Sequence, residues 1–495
     1  MSIEQQPTTD LEKSHLRALA EQAVERALAA GACDAEAVAF AGEEFAVHVR
    51  LGQVEQLTES GSRAIGLRVF FDSPAAGSSE PAQRTASTST SDLTEDGLKR
   101  LVDGAVGLAK VTGADPFAGL PDRELLAHPS ARAIDDLCLY FDDVDAIPAK
   151  ERIDIARRCE ASALSFDTRI QNSVGADFDA STAHRVMVNS RGFRGEYRRS
   201  YCGFSVTPIA QDASGAMQRD YWYSSARAAR LLDSPESVGR KAAERALRRL
   251  GARRVPTQKC PVVYAPEVAR SLMGNLLSAA DGDSIYRNAS MFAGKLGEQV
   301  AGENITMVDD GTLVFEHSLS GDKLLGDGEG TLRVGGFGTS PYDGDGLATR
   351  RTVVIERGIL KSLMLNTYTG RKLNMASTGK ASRGLAGAPG IGGGNYFLEP
   401  GTLTPDEIIS DIPQGLYVLS TMGFGVNLVN GDYSLGVSGL WIDGGELAYP
   451  VEEITIAGNL KDMFRNVSAI ANDLEFRGSG AVPTVRIEGM TVAGS

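Results

Sequence analysis

The stretch FAVHVRLGQVEQLTESGSRAIGLRVFF, residues 45–71, decides the fold class. Phe45, Val47, Val49 and Leu51 alternate with Ala46, His48 and Arg50, the two-residue period of a half-buried strand. Gly52 and the triplet Ser60-Gly61-Ser62 punctuate the run, so further strands are expected around 54–58 and 64–71. On either side the period becomes helical. Leu16, Leu19, Ala20, Ala23, Val24, Ala27 and Leu28 recur at three-and-four spacing within residues 10–31. Thr94 opens a second helix carrying Leu98, Leu101, Val102, Ala105, Val106 and Leu108. A helix, a meander and a helix thus begin a mixed α/β lobe.

The mixture continues downstream. Pro148 starts a helix that runs to about residue 164, and strands are expected near 169–176, 182–189 and 195–210. Ser234-Pro235-Glu236 reads as an N-cap with proline at the first helical position. Its helix buries Val238, Ala242, Ala246, Leu247 and Leu250 and turns Arg240, Lys241, Arg245, Arg248 and Arg249 outward. In so acidic a chain that basic face is expected to be solvated rather than a nucleic-acid stripe. From about residue 255 the character shifts. Val262-Val263-Tyr264 is a short strand, and Pro266 starts a helix through Val268, Leu272, Leu276 and Leu277 that stops near Gly282. Beyond residue 300 the chain is glycine-rich and strand-like, with hairpin signals at Arg357-Gly358 and Asp443-Gly444-Gly445. The expectation is an α+β protein. An N-terminal mixed α/β lobe, residues 1–230, precedes a mostly antiparallel β lobe, residues 231–495.

Composition bounds the function. The 495 residues are 42% hydrophobic, enough for a large core and too apolar for wholesale disorder. A net charge of −14 repels phosphate backbones and anionic headgroups, which argues against nucleic acid and membrane surfaces as partners. Met1–Gln6 has no basic n-region or apolar run, and no segment is long enough to span a bilayer, so a cytoplasmic protein is expected. The five cysteines form no C-x-x-C pair and read as scattered reduced thiols. None follows Cys260.

Local catalytic motifs are missing. The five histidines form no H-E-x-x-H or H-x-H pair, and neither G-x-S-x-G nor a P-loop occurs. Asp343-Gly344-Asp345-Gly346 lacks the carboxylate eleven positions after its first ligand that a calcium loop needs, and reads as a turn. Gly392-Gly393-Gly394 reads as a hinge or a close approach.

Several stretches carry a resemblance. They include residues 60–71 (SGSRAIGLRVFF), 87–93 (STSTSDL), 221–226 (YWYSSA), 294–300 (GKLGEQV) and 308–313 (VDDGTL). Residues 368–373 (YTGRKL), 422–434 (MGFGVNLVNGDYS) and 449–463 (YPVEEITIAGNLKDM) continue the series. In order and number they resemble the TldD/PmbA family, and within it the PmbA (TldE) branch, over residues 12 to 493. The resemblance implies a metalloprotease system. Its catalytic members hold zinc with H-E-x-x-x-H on a helix and a C-terminal cysteine, and the PmbA-type partner lacks those ligands. Carried onto this chain, the first histidine falls on Met273, the glutamate on Gly274 and the second histidine on Ser278.

A thioether is a soft, neutral donor poorly suited to zinc, glycine cannot act as a general base, and serine ligates weakly unless ionised. Positions 273 and 278 are about 140° apart on a regular helix, so without a metal to hold, an unwidened helix is expected here. No catalytic residue and no metal are therefore expected in this chain, zinc being expected in a partner subunit.

The resemblance also implies a peptide substrate lying as an added strand in an interior groove. The equivalent edge would be residues 394–398, with Asn395, Tyr396 and Phe397 as its lining; covering the β lobe is the alternative role for these side chains. The implied function is a non-catalytic subunit of a heterodimeric cytoplasmic protease of unfolded peptides, paired with a TldD-like zinc-bearing paralogue. A homodimeric peptide-binding or regulatory protein without a catalytic partner is the alternative, and native mass separates the two. A stand-alone hydrolase would need other residues, such as Asp281, Asp283 or His317. The family's link by name to DNA gyrase modulation finds no electrostatic support in the −14 balance as direct DNA binding.

Overall fold

The structure, a computed structural model, describes residues 10–74 and 81–494. The reading of Met1–Gln6 lies outside the described residues.

The first lobe is built on one antiparallel sheet. Its order is Ala114–Asp115, Pro81–Thr90, Gln53–Pro74, Asp34–Arg50, Ile170–Asn189, Arg194–Gln211 and Met217–Arg219, with Trp222–Ala226 also paired to Arg194–Gln211. Odd-numbered side chains of Asp34–Arg50 share one face. Ala35, Ala37, Ala39 and Ala41 pack at one end beneath the helices Asp10–Ala29 and Glu95–Ala109. Phe45, Val47 and Val49 pack at the other beneath Ala149–Ser165 and Pro235–Leu247. The opposite face carries Glu36 and Val38 toward residues of the second lobe, among them Tyr342 and Arg383. The helix stripes fall where the spacing places them, except that Leu28 and Leu108 are exposed.

Two expected breaks are absent. Residues 54–58 and 64–71 belong to one strand, Gln53–Pro74, in which Ser60, Gly61 and Ser62 pair in register with Glu44, Glu43 and Gly42. Small polar residues there reflect an exposed ribbon, not a turn. The turn is Leu51-Gly52, both at positive φ (48° and 75°), which suits a two-residue hairpin. Its two N–H groups donate to the buried Glu160 carboxylate at 2.9 Å each, which ties the ribbon to the Ala149–Ser165 helix. Likewise 169–176 and 182–189 are one strand, Ile170–Asn189, whose irregularity beside Gly175 shifts the register without ending the pairing.

The second lobe is mostly antiparallel β. Glu446–Asn459, Asp432–Asp443, Gln414–Met422, Gln258–Tyr264 and Val485–Ala493 pair in sequence, and the last pairs back to the first, so the sheet closes into a five-membered ring. Only the Gln414–Met422 and Gln258–Tyr264 pair in that ring is parallel. Both hairpin signals hold: Arg357-Gly358 and Gly444-Gly445 supply the positive-φ pairs. A second sheet has the order Ile359–Leu360, Arg351–Glu356, Met307–Asp310, Asn395–Leu398, Gly480–Ala481. The Asp343–Asp345 turn is buried, Asp343 accepting backbone N–H bonds from Asp345, Leu347 and Ala381. Among the described residues no helix is long and apolar enough to cross a membrane.

Candidate functional site

The helix Pro266–Ala279 leaves the ring directly after Gln258–Tyr264. Pro266 occupies its first turn, and Val268, Ala269, Leu272, Met273, Leu276 and Ala279 are buried. The helix is α throughout, with no widened turn around residue 275. Its three positions of interest look in different directions. Met273 is wholly buried in the core of the second lobe. Ser278 is exposed, and its hydroxyl donates to Gly274 O at 3.1 Å. Gly274 faces Tyr396: a Cβ there would stand 3.5 Å from the phenol oxygen.

These residues do not fit zinc. A buried thioether, a glycine and an exposed serine offer no convergent borderline donors. Among the described residues no three His, Cys, Asp or Glu side chains are grouped to hold a metal ion.

The Tyr396 ring is pinned between the helix and the Gly480–Ala481 strand. A Cβ at Gly480 would lie 2.3 Å from Tyr396 Cζ, so only glycine admits the ring there. Tyr396 N donates to Ser479 O at 2.9 Å. Burial pushes the Tyr396 phenol up, and the charge of Arg270 opposes that rise.

Asn395 is fully buried and its amide is fully used. Nδ2 donates to Asp310 O and Thr339 Oγ1, and Oδ1 accepts from Gly338 N, each at 2.8 Å. It fixes neighbouring chain segments. Phe397 meets Phe476 edge-on at 5.8 Å, Phe476 lies 4.7 Å from Phe315, and His317 tilts against Phe315 at 5.7 Å. The expected free edge at 394–398 is corrected. Asn395–Leu398 pairs antiparallel with Met307–Asp310 and parallel with Gly480–Ala481, and the latter is the outermost strand. The chain after residue 475 returns to cover the edge, a long-range pairing that periodicity does not show. The Gly392-Gly393-Gly394 run is a close approach: a Cβ at Gly393 would lie 2.5 Å from Asp309 Oδ2.

The stand-alone hydrolase residues have ordinary duties. Asp281 caps the short helix Gly282–Tyr286 by accepting from Ser284 N at 2.9 Å, and Asp283 pairs with Arg287 at 2.8 Å. His317 sits among aromatic rings, where burial lowers its pKa.

The basic face of Pro235–Leu247 needs correction. Arg245 is buried, held by Asp220 at 3.3 Å and Glu267 at 3.2 Å, and stands over the Trp222 ring. Arg249 donates to Ser438 Oγ at 2.8 Å, whereas Arg240 stays exposed beside Asp322. The carboxylates that meet this face, Asp220 and Glu267, come from segments outside the helix that its periodicity cannot register.

Comparison with known proteins fits this architecture. The chain matches PmbA/TldA metallopeptidase domain 1 over residues 35–109, the central domain over 142–250 and the C-terminal domain over 257–494. It is 35% identical to the metalloprotease PmbA of Escherichia coli O157:H7, covering 97% of each chain. It is 32% identical to the PmbA homologue of Haemophilus influenzae, over 98% of this chain and 97% of that one. Among solved structures, TldE of Thermococcus kodakarensis superposes with a TM-score of 0.79 at 19% identity, covering 96% of this chain and all of that one. A Bacteroides thetaiotaomicron protein described as a modulator of DNA gyrase does so with a TM-score of 0.84 at 24% identity, covering 99% and 100%. The chain belongs to the PmbA/TldD metallopeptidase family.

Proposed function

We propose that this protein is the zinc-free subunit of a heterodimeric protease of its family, acting on unfolded peptides in the cytoplasm. A zinc-bearing paralogue supplies the metal, the bound water and the glutamate. This chain supplies one wall of the peptide chamber and the stability of the pair. One observation carries the reading: Met273, Gly274 and Ser278 stand where the family's histidine, glutamate and histidine are expected, and the Tyr396 ring lies against Gly274. A chain so built has no means of its own to lower the pKa of a metal-bound water.

The test is reconstitution. The purified chain alone is expected to leave unstructured peptides intact, and addition of a zinc-bearing family member is expected to give chelator-sensitive cleavage. Robust, chelator-sensitive cleavage by this chain alone would overturn the reading.

A further inference from the structure

A cavity of about 260 Å³ lies beside the helix Pro266–Ala279, bordered by the basic helix Pro235–Leu247 and by Gly480, Ala481 and Val482. Lys241, Arg245, Arg248, Arg270 and Arg477 line it, an unusual concentration for a chain of net charge −14. Its three carboxylates are engaged. Glu267 takes Arg245 at 3.2 Å, and Asp473 accepts from Thr484 N and Oγ1 at 2.8 Å. Glu475 chelates Arg477 at 3.0 and 2.8 Å.

Two guanidiniums are left over. Arg248 Nε and Nη2 are buried without a hydrogen-bond partner. Arg270 makes no hydrogen bond or ion pair among the described residues, and its Nη1 stands 3.3 Å from where a Cβ on Gly478 would be. The buried Arg248 donors lack an acceptor, which is costly, and the half-exposed Arg270 adds a second guanidinium beside them, so the site is suited to an anion. Trp222, Tyr223 and Tyr417 wall the cavity and keep it from being a simple charged surface. The three resident carboxylates disfavour a doubly charged phosphate, whereas one planar carboxylate matches the planar forks.

An aromatic cavity of about 160 Å³ adjoins it, sharing Tyr223, Glu475 and Arg477 and lined further by Phe315, His317 and Phe476. We infer that the two cavities together take the C-terminal end of a peptide. Arg248 and Arg270 hold the terminal carboxylate, and the aromatic cavity takes a bulky apolar side chain near that end. This inference rests on the peptide reading above and names which part of the peptide this subunit recognises.

The experiment measures binding of a fluorescent, unstructured, apolar-rich peptide to the full chain, alone and in complex with a zinc-bearing family member. The peptide is made with a free C-terminal carboxylate, as its amide, and as an amide carrying one internal glutamate. The free acid is expected to bind at least about tenfold more tightly than either amide, a difference of roughly 1.4 kcal/mol. Arg270→Gln and Arg248→Gln are each expected to erase that difference between free acid and amide. Arg270→Gln carries the test should Arg248→Gln, whose Nε and Nη2 are buried, not fold. Equal binding of acid and amide overturns the proposal while leaving the peptide reading intact. Tight binding of the glutamate-bearing amide overturns the assignment to the chain terminus. Competition by inorganic phosphate better than by acetate overturns the assignment to a carboxylate. Failure of all three peptides to bind chain and complex removes the peptide reading and this inference together.

Discussion

The Tyr396 hydroxyl lies 3.5 Å from the point where a Cβ on Gly274 would be, so the ring covers the helix at the position where the family's glutamate is expected. That distance is ordinary van der Waals contact. Gly274→Ala is therefore expected to fit and to stabilise the helix by about 0.5–1 kcal/mol, the usual difference between glycine and alanine in a helix interior. A raised thermal midpoint checks this. Gly274→Glu, with a longer side chain, is expected to lower it, and a smaller residue at 396 to relieve the loss.

Gly480 meets the same ring from the other side. Gly480→Ala would place a Cβ 2.3 Å from Tyr396 Cζ, and displacement of the ring is expected to cost about 1–3 kcal/mol. In denaturant titrations the cost is expected to shrink in a Tyr396→Ala background, because the two residues are in direct contact. Strict additivity would show that the ring is not what excludes a side chain at 480.

Lys380 pairs with Asp309, and both are buried. Asp309 also accepts from Gly394 N at 2.8 Å and so holds the glycine run against Met307–Asp310. Lys380→Met leaves the carboxylate buried without its cation, and a loss of about 3–5 kcal/mol is expected. Hydrogen exchange is expected to speed at residues 394–398 before it does in the ring strands.

Stability is expected to depend on Asp343. Burial and the charge of Asp345 push its carboxyl up to about 7, against about 3.9 for an unfolded chain. Between those values the native state holds a proton that the unfolded state lacks. This group's contribution therefore falls as pH rises from about 4 to 7 and is flat above. Asp345, itself raised by burial, faces Glu36 and Arg68. Asp345→Asn removes the neighbouring charge and keeps an acceptor for Thr367 N, now at 2.8 Å from the carboxylate. The thermal midpoint is expected to drop less between pH 5 and 8 in this variant than in the parent chain; an equal drop would show that the pair is not coupled.

Cys33 is exposed, yet burial of its thiol and the neighbouring Asp72 push its pKa to about 11. Alkylation of Cys33 at neutral pH, followed by peptide mapping, is expected to be roughly a hundredfold slower than for an unperturbed cysteine and to accelerate with pH. A rate equal to that of a free cysteine peptide would contradict it.

What was legible in the sequence was local. Helix stripes, the Thr94 and Ser234 caps and the hairpin pairs Arg357-Gly358 and Gly444-Gly445 depend on neighbours a few residues apart, and they appear as read apart from the exposed Leu28 and Leu108. Ser60-Gly61-Ser62 misleads because an exposed strand at the edge of the sheet tolerates turn-like residues without turning. The basic helix face misleads because Asp220 and Glu267, which neutralise Arg245, arrive from outside the helix. At the site, that Met273, Gly274 and Ser278 are poor zinc donors follows from residue types alone. The role of Asn395 does not, since its partners Asp310, Gly338 and Thr339 are more than fifty residues away. The basic cavity joins five distant segments, 222–223, 241–248, 265–270, 417–419 and 473–482, and no spacing rule brings them together.

Zinc counted per assembly tests the central claim most directly. The chain is purified alone and in a one-to-one complex with a zinc-bearing family member, and metal is measured by elemental analysis after exhaustive dialysis. No bound zinc on the chain alone and one per heterodimer is the expected result. A full equivalent retained by the chain alone, or two per heterodimer, would contradict it.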